Sequence, residues 1–525
     1  MSEVESIKRR FNRAESLALQ FRGMYERAYQ LVAPNQNAYT EAAGANKSPQ
    51  VFDSSGALAA NSFVNTFMNT VTPVHSRWID LKAGIGLPMV IAQLQGNQEP
   101  TDQDIENIES EVNESLDGTT KDMFSFLNAS NLYSELATGY YDASIGTMAM
   151  LIMPGDTSRG LGSPIRFKTV SPYYLALEEG AFGDISGVFR SIESKVRDIK
   201  VEWPDVTGMG SMDGDEKVKL LESTIINDDD GLWDYRLMKG NDIIVRRRFR
   251  QSPWIIFRYN VIAGEVWGRG PVLQAFPDLQ QLNAAEELSI RASQMSAYGA
   301  YTVINDDIIN PNSMRVIPGA MIPVKRNNGP NGPSIQPLPG IGNVNHQLLI
   351  KSDLQAKIRR FMLDESLPSA REPGMTATEV LERVRKIQRD FGAVFGRISY
   401  ELLQPIIQRS LDILVDQGLV QLPEVFSKID SFNIKMQVIS PVARMQSIQD
   451  VEALTQTIQM LGAISPELIP QQVKIEQLGQ WLSDKLGAPA KFFKTSEEQQ
   501  MEAQAQAEQQ QALLEQEQQA QQQVQ

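Results

Sequence analysis

The chain has 525 residues, of which 42% are hydrophobic and 22% are charged, and its formal net charge is −15. These fractions are ordinary for globular proteins, so most of the chain can bury a core, and the length favours about three domains. Cysteine is absent and histidine occurs only as His75 and His346, which excludes disulfides, thiolate metal sites and clustered-histidine metal sites. The acidic balance argues against a broad basic face that grips nucleic acid. We expect neither a metal nor a cofactor.

The beginning of the chain lacks the pattern of a secretory signal, because no apolar core follows Lys8, Arg9 and Arg10. Apolar runs such as Met148–Met153 are much shorter than the ~18 residues that a membrane span requires. We therefore expect a soluble protein that is made in the cytoplasm and has no membrane anchor.

The first predicted element is an amphipathic helix that ends at Pro34. Apolar residues recur at steps of three and four and form one stripe: Ile7, Phe11, Ala14, Ala18, Phe21, Tyr25, Ala28 and Val32. The ordinary function of such a stripe is core packing or a helix–helix seam.

Two more helices and a strand are predicted before residue 130. One helix runs from about Ser54 to Thr70, with four residues expected to face inward: Leu58, Phe63, Phe67 and Val71. A strand begins at Trp78–Leu81, and another helix covers Asp102 to Ala129.

Residues 145–270 have the composition of strands separated by Gly, Pro and Asp turns, so the first 265 residues are predicted to form one α+β body. The predicted strands are Ala149–Met153, Ile165–Val170, Val188–Ile192, Ile243–Phe249 and Ile255–Tyr259. In the fourth, Arg246, Arg248 and Arg250 share one face. They could meet phosphate or acids of a neighbouring subunit, and the negative total charge favours subunit contact.

The following region predicts a projection from this body. A helix from Pro271 to about Tyr298 is rich in Ala and Ser and poor in large apolar residues, which suits close helix–helix contact. A proline-rich loop-and-strand insert occupies residues 301–345, and a second helix runs from about Asn345 to Glu365.

The C-terminal region begins with a loop, Ser366–Met375, and a long helix that opens at Thr376 with a capping box. Pro405 predicts a kink in this helix, which continues to about Asp416. A strand is expected over 432–442 and helices over 443–495. The last residues, 496–525, are rich in Gln and Glu, which is typical of a disordered segment or of a helix that needs partners.

No motif for catalysis emerges. The nearest match to a phosphate-binding loop, Asn46-Lys47-Ser48, has Asn where the second Gly is required. No G-x-S-x-G elbow occurs. We therefore expect that the protein is not an enzyme.

Four stretches together resemble the head-to-tail connector (portal) proteins of short-tailed bacteriophages. They are Tyr25–Pro34 with Val51-Phe-Asp-Ser-Ser-Gly56; Trp267-Gly-Arg-Gly-Pro271 with Ala275–Leu279 and Leu282-Asn283; Met375–Val380 running on to Glu401–Pro405 and Arg409; and Ser440–Arg444 with Gln446. Each stretch is weak alone, but their order and spacing over residues 25–446 are specific. Trp267 stands where the family often has Tyr, a mild aromatic exchange.

This resemblance implies an α+β, mainly helical portal fold and a ring of twelve identical subunits at one capsid vertex. Double-stranded DNA would pass through the central channel during packaging and ejection. The implied partners are terminase, a tail adaptor protein, and the major capsid and scaffolding proteins. The implied location is the virion, after assembly in the host cytoplasm, and the packaging ATPase would be a separate protein.

The parts of the portal fold map onto consecutive segments. They are a wing (1–267), a first stem helix (268–300), a clip (301–345), a second stem helix (346–366), a channel or tunnel loop (367–375), a long kinked helix and a strand that return to the wing (376–442), a crown (443–495) and a Gln/Glu-rich tail (496–525), disordered or forming a helical barrel.

The resemblance also suggests candidate site residues. The candidates for the DNA channel are Arg371, Lys357, Arg359 and Arg360. The candidates for contact of the clip with terminase or the tail adaptor are Lys325, Arg326 and Asn327. Arg246, Arg248 and Arg250 are candidates for subunit contact.

Two other classes of protein remain open at this point. Another virion structural protein, such as a tail adaptor or an internal core protein, would share the composition but lack the order of stem, clip and stem. A nucleotide-dependent enzyme would be stabilised thermally by its nucleotide.

Overall fold

The computed structural model describes residues 2–34, 51–74, 76–94, 102–155, 162–210, 212–298, 301–303, 335–337, 344–363, 392, 394–423, 434–439, 451 and 454–461. The main helices of these residues are α1 (Glu3–Val32), α2 (Ser55–Thr70), α3 (Leu87–Leu94), α4 (Asp102–Ala129), α5 (Leu132–Ile145), α6 (Val196–Glu202), α7 (Pro271–Gln274), α8 (Phe276–Tyr298), α9 (Val344–Phe361) and α10 (Gln404–Asp416). A π-helical turn, Ile398–Leu403, leads into α10.

The strands are β1 (Ile79–Ala83), β2 (Thr147–Pro154), β3 (Ile165–Thr169), β4 (Leu175–Glu179), β5 (Ile185–Lys195), β6 (Lys217–Ile226), β7 (Trp233–Lys239), β8 (Asp242–Phe249), β9 (Trp254–Arg258), β10 (Tyr301–Val303), β11 (Ile335–Pro337) and β12 (Ile434–Val438). Helix predominates over strand, so the prediction of a mixed α+β chain is confirmed. In the described residues, no helix is long and apolar enough to cross a membrane.

A three-stranded antiparallel sheet, in the order β3-β2-β9, lies at the centre of the body. Its five-residue strand β9 is buried throughout. Side chains cap both outer edges: Asn131 Nδ2 donates to the carbonyl of Phe167 on β3 at 2.7 Å, and the backbone N–H of Arg258 on β9 donates to Glu401 Oε2 at 2.9 Å. Capping of this kind protects the edges from pairing with a strand of another chain.

A second sheet has five antiparallel strands in the order β4-β5-β6-β7-β8. Helix α1 packs on one of its faces, where the rings of Phe11 and Phe189 lie 6.0 Å apart and Arg10 forms an ion pair with Glu178 at 2.7 Å. The opposite face carries a smaller separate core under α6, in which Trp203 Nε1 donates to the hydroxyl of Tyr235 at 2.8 Å. Both faces of the sheet are therefore covered by residues of the same chain.

The segment that precedes α7 makes an unusually close backbone contact with the junction of α5 and β2, and a side chain of α1 bonds to it. A Cβ atom added at Gly268 would collide with the carbonyl of Gly146, and one at Gly270 would collide with the carbonyl of Ser144. The hydroxyl of Tyr25 donates to the carbonyl of Gly268, and Thr147 Oγ1 accepts from the Gly268 N–H at 2.8 Å. Burial raises the pKa of Tyr25, so its hydroxyl stays protonated and remains a donor.

Most of the predicted elements recur, with some corrections. Leu58, predicted to face inward, is 63% exposed, so that prediction is wrong. The buried face of α2 contains Phe63 and Phe67, and a residue five positions before Phe63 falls on another side of the helix.

The helix predicted over 271–298 is divided at Ala275, because Pro277 has no N–H to continue the bonding pattern. Helix α9 ends at Phe361, before the predicted Glu365, and Leu363 adopts a left-handed φ of 56°.

The described part of the C-terminal half agrees with the expected elements. The predicted kink at Pro405 coincides with the π-helical turn just before it, and α10 ends at the predicted Asp416. Strand β12 lies within 432–442 and pairs antiparallel with β1. Residues 454–461 are helical. The loop 366–375, the capping box at Thr376 and the tail 496–525 lie outside the described residues.

The glycine contact yields a stability prediction. We expect Gly268→Ala to destabilise the chain by about 3 kcal/mol, because the new methyl group must displace backbone rather than a flexible side chain. Urea denaturation followed by tryptophan fluorescence measures this.

Gly23→Ala is the matched control, because a Cβ at Gly23, within α1, meets nothing within 4 Å. It should stabilise by about 0.5–1 kcal/mol, as a helical Gly→Ala exchange does where space is open. Equal effects of the two exchanges would contradict the role given to Gly268.

Candidate assembly site: the helical hairpin and the ion pairs behind it

Helices α8 and α9, joined through β10 and β11, form a projecting unit that we call the hairpin. Strands β10 and β11 pair antiparallel with Tyr301 opposite Pro337, so the chain returns along the path by which it left. Helix α8 packs against α9, and Lys351 Nζ lies 2.5 Å from Glu286 Oε2 across their contact. Leu279 and Leu282 of α8, Leu354 and Ile358 of α9, and Met362 just after α9 are buried and belong to the main apolar core of the body.

The segment that precedes α2 holds both helices of the hairpin at their base. The backbone N–H of Phe52 donates to Asn283 Oδ1 on α8 at 2.8 Å. From α9, Gln355 Nε2 donates to Asp53 Oδ2 at 3.2 Å and to Ser55 Oγ at 3.0 Å. Two stretches that carried the resemblance, 51–56 and 267–283, therefore meet at this root of the hairpin.

The outward sides of the hairpin carry large apolar side chains. Leu288 on α8 is 60% exposed, and Ile290 of the same helix is also exposed. On α9, Ile350 and Phe361 are exposed. Apolar groups on a rooted projection are available for contact with a second chain.

The three channel candidates on α9 are exposed but do not share one face. Lys357 and Arg360 are three residues apart and lie on the same side of the helix, whereas Arg359 is two residues from Lys357 and is directed elsewhere. Lys357 Nζ forms an ion pair with Asp353 at 2.8 Å, and that hydrogen bond raises the pKa of the lysine. The lysine therefore remains charged at neutral pH.

A buried ion pair fastens the π-helical turn to β9. Arg258 Nη2 lies 2.7 Å from Glu401 Oε1, and the two side chains are only 4% and 10% exposed. Glu401 also accepts from Arg397 at 2.9 Å. The Arg258 guanidinium donates further to the carbonyls of Gly183, at 3.0 Å, and Val266, at 3.4 Å. One arginine thus joins four segments of the body.

A second buried pair fastens α10 to both sheets. Arg409 Nη1 lies 3.2 Å from Asp412 Oδ2, and Arg409 Nε donates to the carbonyl of Ile152 on β2 at 3.5 Å. Its guanidinium carbon is 4.3 Å from the centre of the Phe249 ring at the end of β8. Burial lowers the pKa of Arg409 and raises the pKa of Asp412, so each charge needs the other to remain ionised.

The candidates for subunit contact on and after β8 form a group that we call the arginine cluster: Arg246, Arg248 and Arg250. Their side chains are more than half exposed and lie near acids of the same chain. Arg246 pairs with Glu3 at 2.7 Å, and Arg248 pairs with Asp234 at 2.9 Å. Arg250 is 3.8 Å from Asp412, which is longer than a hydrogen bond. Subunit contact stays a prediction for all three.

The remaining candidates, Arg371 in the channel loop and Lys325, Arg326 and Asn327 in the clip, lie outside the described residues. The sequence pattern marked Glu401 and Arg409 only through the family resemblance and assigned no role to Arg258. The structure makes all three buried anchors. The available signal was a charge inside an apolar pattern, because Arg258 ends a wholly apolar strand and Glu401 lies beside the buried Leu402.

The described residues thus form an α+β body with a two-helix hairpin, exposed apolar side chains on both hairpin helices and buried ion pairs behind them. The family model for the bacteriophage head to tail connecting protein matches residues 4–493. The chain therefore belongs to this family.

A similar protein is the probable portal protein of Bordetella phage BPP-1. It is 23% identical over 235 residues, which cover 42% of this chain and 41% of the relative. The matched part thus spans less than half the length of that relative.

The buried pair at the π-helical turn generates a second prediction. Glu401→Gln should destabilise the chain by about 3–5 kcal/mol, because Arg258 and Arg397 keep their charges without the carboxylate that both contact. Chemical denaturation at neutral pH measures the free energy of unfolding.

Glu287→Gln is the control, since Glu287 pairs with Arg291 in an exposed i,i+4 arrangement on α8. It should change stability by no more than about 0.5 kcal/mol. If Glu401→Gln were equally mild, the assignment of Arg258–Glu401 as an anchor would be wrong.

Proposed function

We propose that twelve copies of this chain form a ring at one capsid vertex of a short-tailed phage. The ring joins head to tail, and its central channel conducts double-stranded DNA during packaging and ejection. The observation that carries the proposal is the rooted hairpin within a chain whose family match spans residues 4–493.

The proposed parts follow the order of the chain. The body up to residue 267 is the wing, α8 and α9 belong to the stem, and β10 and β11 belong to the clip. The loop 367–375 is the channel loop, and the π-helical turn and α10 end the long helix that returns to the wing. Residues 443–495 form the crown, and the Gln/Glu-rich tail extends it.

Ring formation accounts for the composition of α8 and of the C-terminal tail, which a monomer does not explain. A helix such as α8, with few large apolar residues, gains its packing from neighbouring copies on either side. Twelve tails brought together have a high effective concentration, which favours their association into a helical barrel.

The proposed function is mechanical and electrostatic rather than catalytic. A net charge of −15 suits a conduit that must release DNA, because many cationic contacts would hold the phosphate backbone. A few cations facing the channel, with Lys357, Arg359, Arg360 and Arg371 as candidates, then steer DNA without retaining it. A separate ATPase drives packaging, and terminase and the tail adaptor bind the clip through Lys325, Arg326 and Asn327. The major capsid and scaffolding proteins contact the ring where it joins the vertex.

The mass of the purified protein tests the ring. Twelve copies of the 58.5 kDa chain have a mass of about 700 kDa and should appear as rings with a central hole. Light scattering and negative-stain imaging, with and without scaffolding protein, measure both properties. A chain that stays monomeric when scaffolding protein is present would refute the proposed ring.

Replacing Lys357 and Arg360, which lie on one side of α9, tests the proposal that this side faces the DNA channel. Lys357→Gln combined with Arg360→Gln should weaken binding of double-stranded DNA by the ring and lower its salt dependence, by about one unit of log–log slope for each phosphate that the ring no longer touches. Fluorescence anisotropy over a series of salt concentrations measures the slope.

Arg291→Gln, which removes an exposed arginine from α8, serves as the control and should leave the slope unchanged. A decrease in slope equal to that of the double variant would show that DNA binding is not specific to the Lys357–Arg360 side of α9.

A further inference from the structure

The turn between β4 and β5 presents an aromatic side chain to solvent. Phe182 is 98% exposed at this turn, and the flanking Glu179 and Asp184 are exposed as well. Within the described part of the chain, neither carboxylate forms an ion pair. We call these three residues the tip.

The tip is held firmly although Phe182 contacts almost nothing. The backbone N–H of Gly180 donates to the carbonyl of Asp184 at 2.8 Å, which closes the turn. Gly183 adopts a left-handed φ of 81°, which glycine accommodates without strain. The buried Arg258 binds the Gly183 carbonyl at 3.0 Å. A preorganised aromatic group loses little conformational entropy on binding, as the anchor of an interface requires.

The arginine cluster has the complementary chemistry. A guanidinium group carries five N–H donors, stacks on aromatic rings and pairs with carboxylates. Of the three arginines, Arg250 has the most N–H donors available for a new partner, because its ion-pair distance to Asp412 is 3.8 Å. An aromatic ring flanked by two carboxylates fits a surface of exposed arginines.

The five-stranded sheet places the tip and the arginine cluster at its opposite edges. Strands β4 and β8 are its two edges, four strand spacings or about 19 Å apart. Both features lie at the same end of the sheet, because the tip begins at Glu179, the last residue of β4, and Arg250 follows Phe249, the last residue of β8. The pairing of Gly187 with Ile225 and of Trp233 with Phe249 aligns these strand ends.

Neighbours in a ring make head-to-tail contacts, so each copy must carry two different patches that complement each other. We propose that the tip of one copy binds the arginine cluster of the next copy, with Phe182 stacked on guanidinium groups and Asp184 and Glu179 paired with Arg250 and Arg248. This inference rests on the proposed ring and names one of the contacts that close it.

Sedimentation velocity of the full chain over a series of concentrations tests this contact. Phe182→Ser, Asp184→Arg and Arg250→Asp should each raise the concentration needed for half-assembly by about tenfold or more. The double variant Asp184→Arg with Arg250→Asp should restore assembly, because it exchanges the charges of the proposed pair. Circular dichroism reports folding, and the exchange of Glu179→Arg with Arg248→Asp takes its place if Asp184→Arg misfolds.

Two exposed residues of α6 provide matched controls, Val201→Ser for the apolar change and Arg197→Asp for the charge reversal. Both should assemble as the wild type does. Wild-type assembly by Phe182→Ser and by both charge reversals would overturn the contact and leave the ring intact. Failure to assemble in the charge-exchanged double variant, with folding preserved, would also count against the pairing. A wild-type chain that forms no ring would instead refute the proposed function, and this contact with it.

Discussion

The backbone of the segment before α7 lies against the junction of α5 and β2 so closely that no side chain fits between them. Gly146, Gly268 and Gly270 provide that space, and the Tyr25 hydroxyl and Thr147 bridge the contact with hydrogen bonds. The hairpin begins immediately afterwards, so its direction relative to the body is set where the backbone has least freedom to shift. In the ring proposed above, this rigid base keeps each hairpin in register with those of its neighbours.

The two buried arginines extend this rigidity through the body. Arg258 ties β9, the turn after β4 and the π-helical turn together, and Arg409 ties α10 to both sheets. A buried ion pair adds little net stability compared with apolar packing, but removing one partner is costly. The pairs therefore fix geometry more than they add stability. One guanidinium therefore holds both the turn that carries the exposed tip and the π-helical turn before α10.

Local patterns predicted the elements that their own residues define. The stripe from Ile7 to Val32 is the buried side of α1, and the extent of α4 follows from its sequence alone. Helices α3, α5 and α6 and strands β4, β6 and β7 were missed. Much of α5 and β6 is apolar or enclosed on more than one side, and this burial obscures a clean periodicity. The prediction for Leu58 failed for the related reason that its helix buries small alanines, which carry little hydrophobic signal.

The sequence by itself determined the class of the chain, an α+β body followed by helix, insert and helix, because periodicity, proline and glycine act over a few residues. It also marked the motif residues around Tyr25, Trp267 and Glu401. Only the tertiary structure decided what those residues do, since Arg258 and Glu401 are 143 positions apart and become partners when β9 meets the π-helical turn. It likewise decided that Phe182 remains in solvent while Trp267 is enclosed. Burial and ion pairing depend on which distant segments meet, and local sequence does not carry that information.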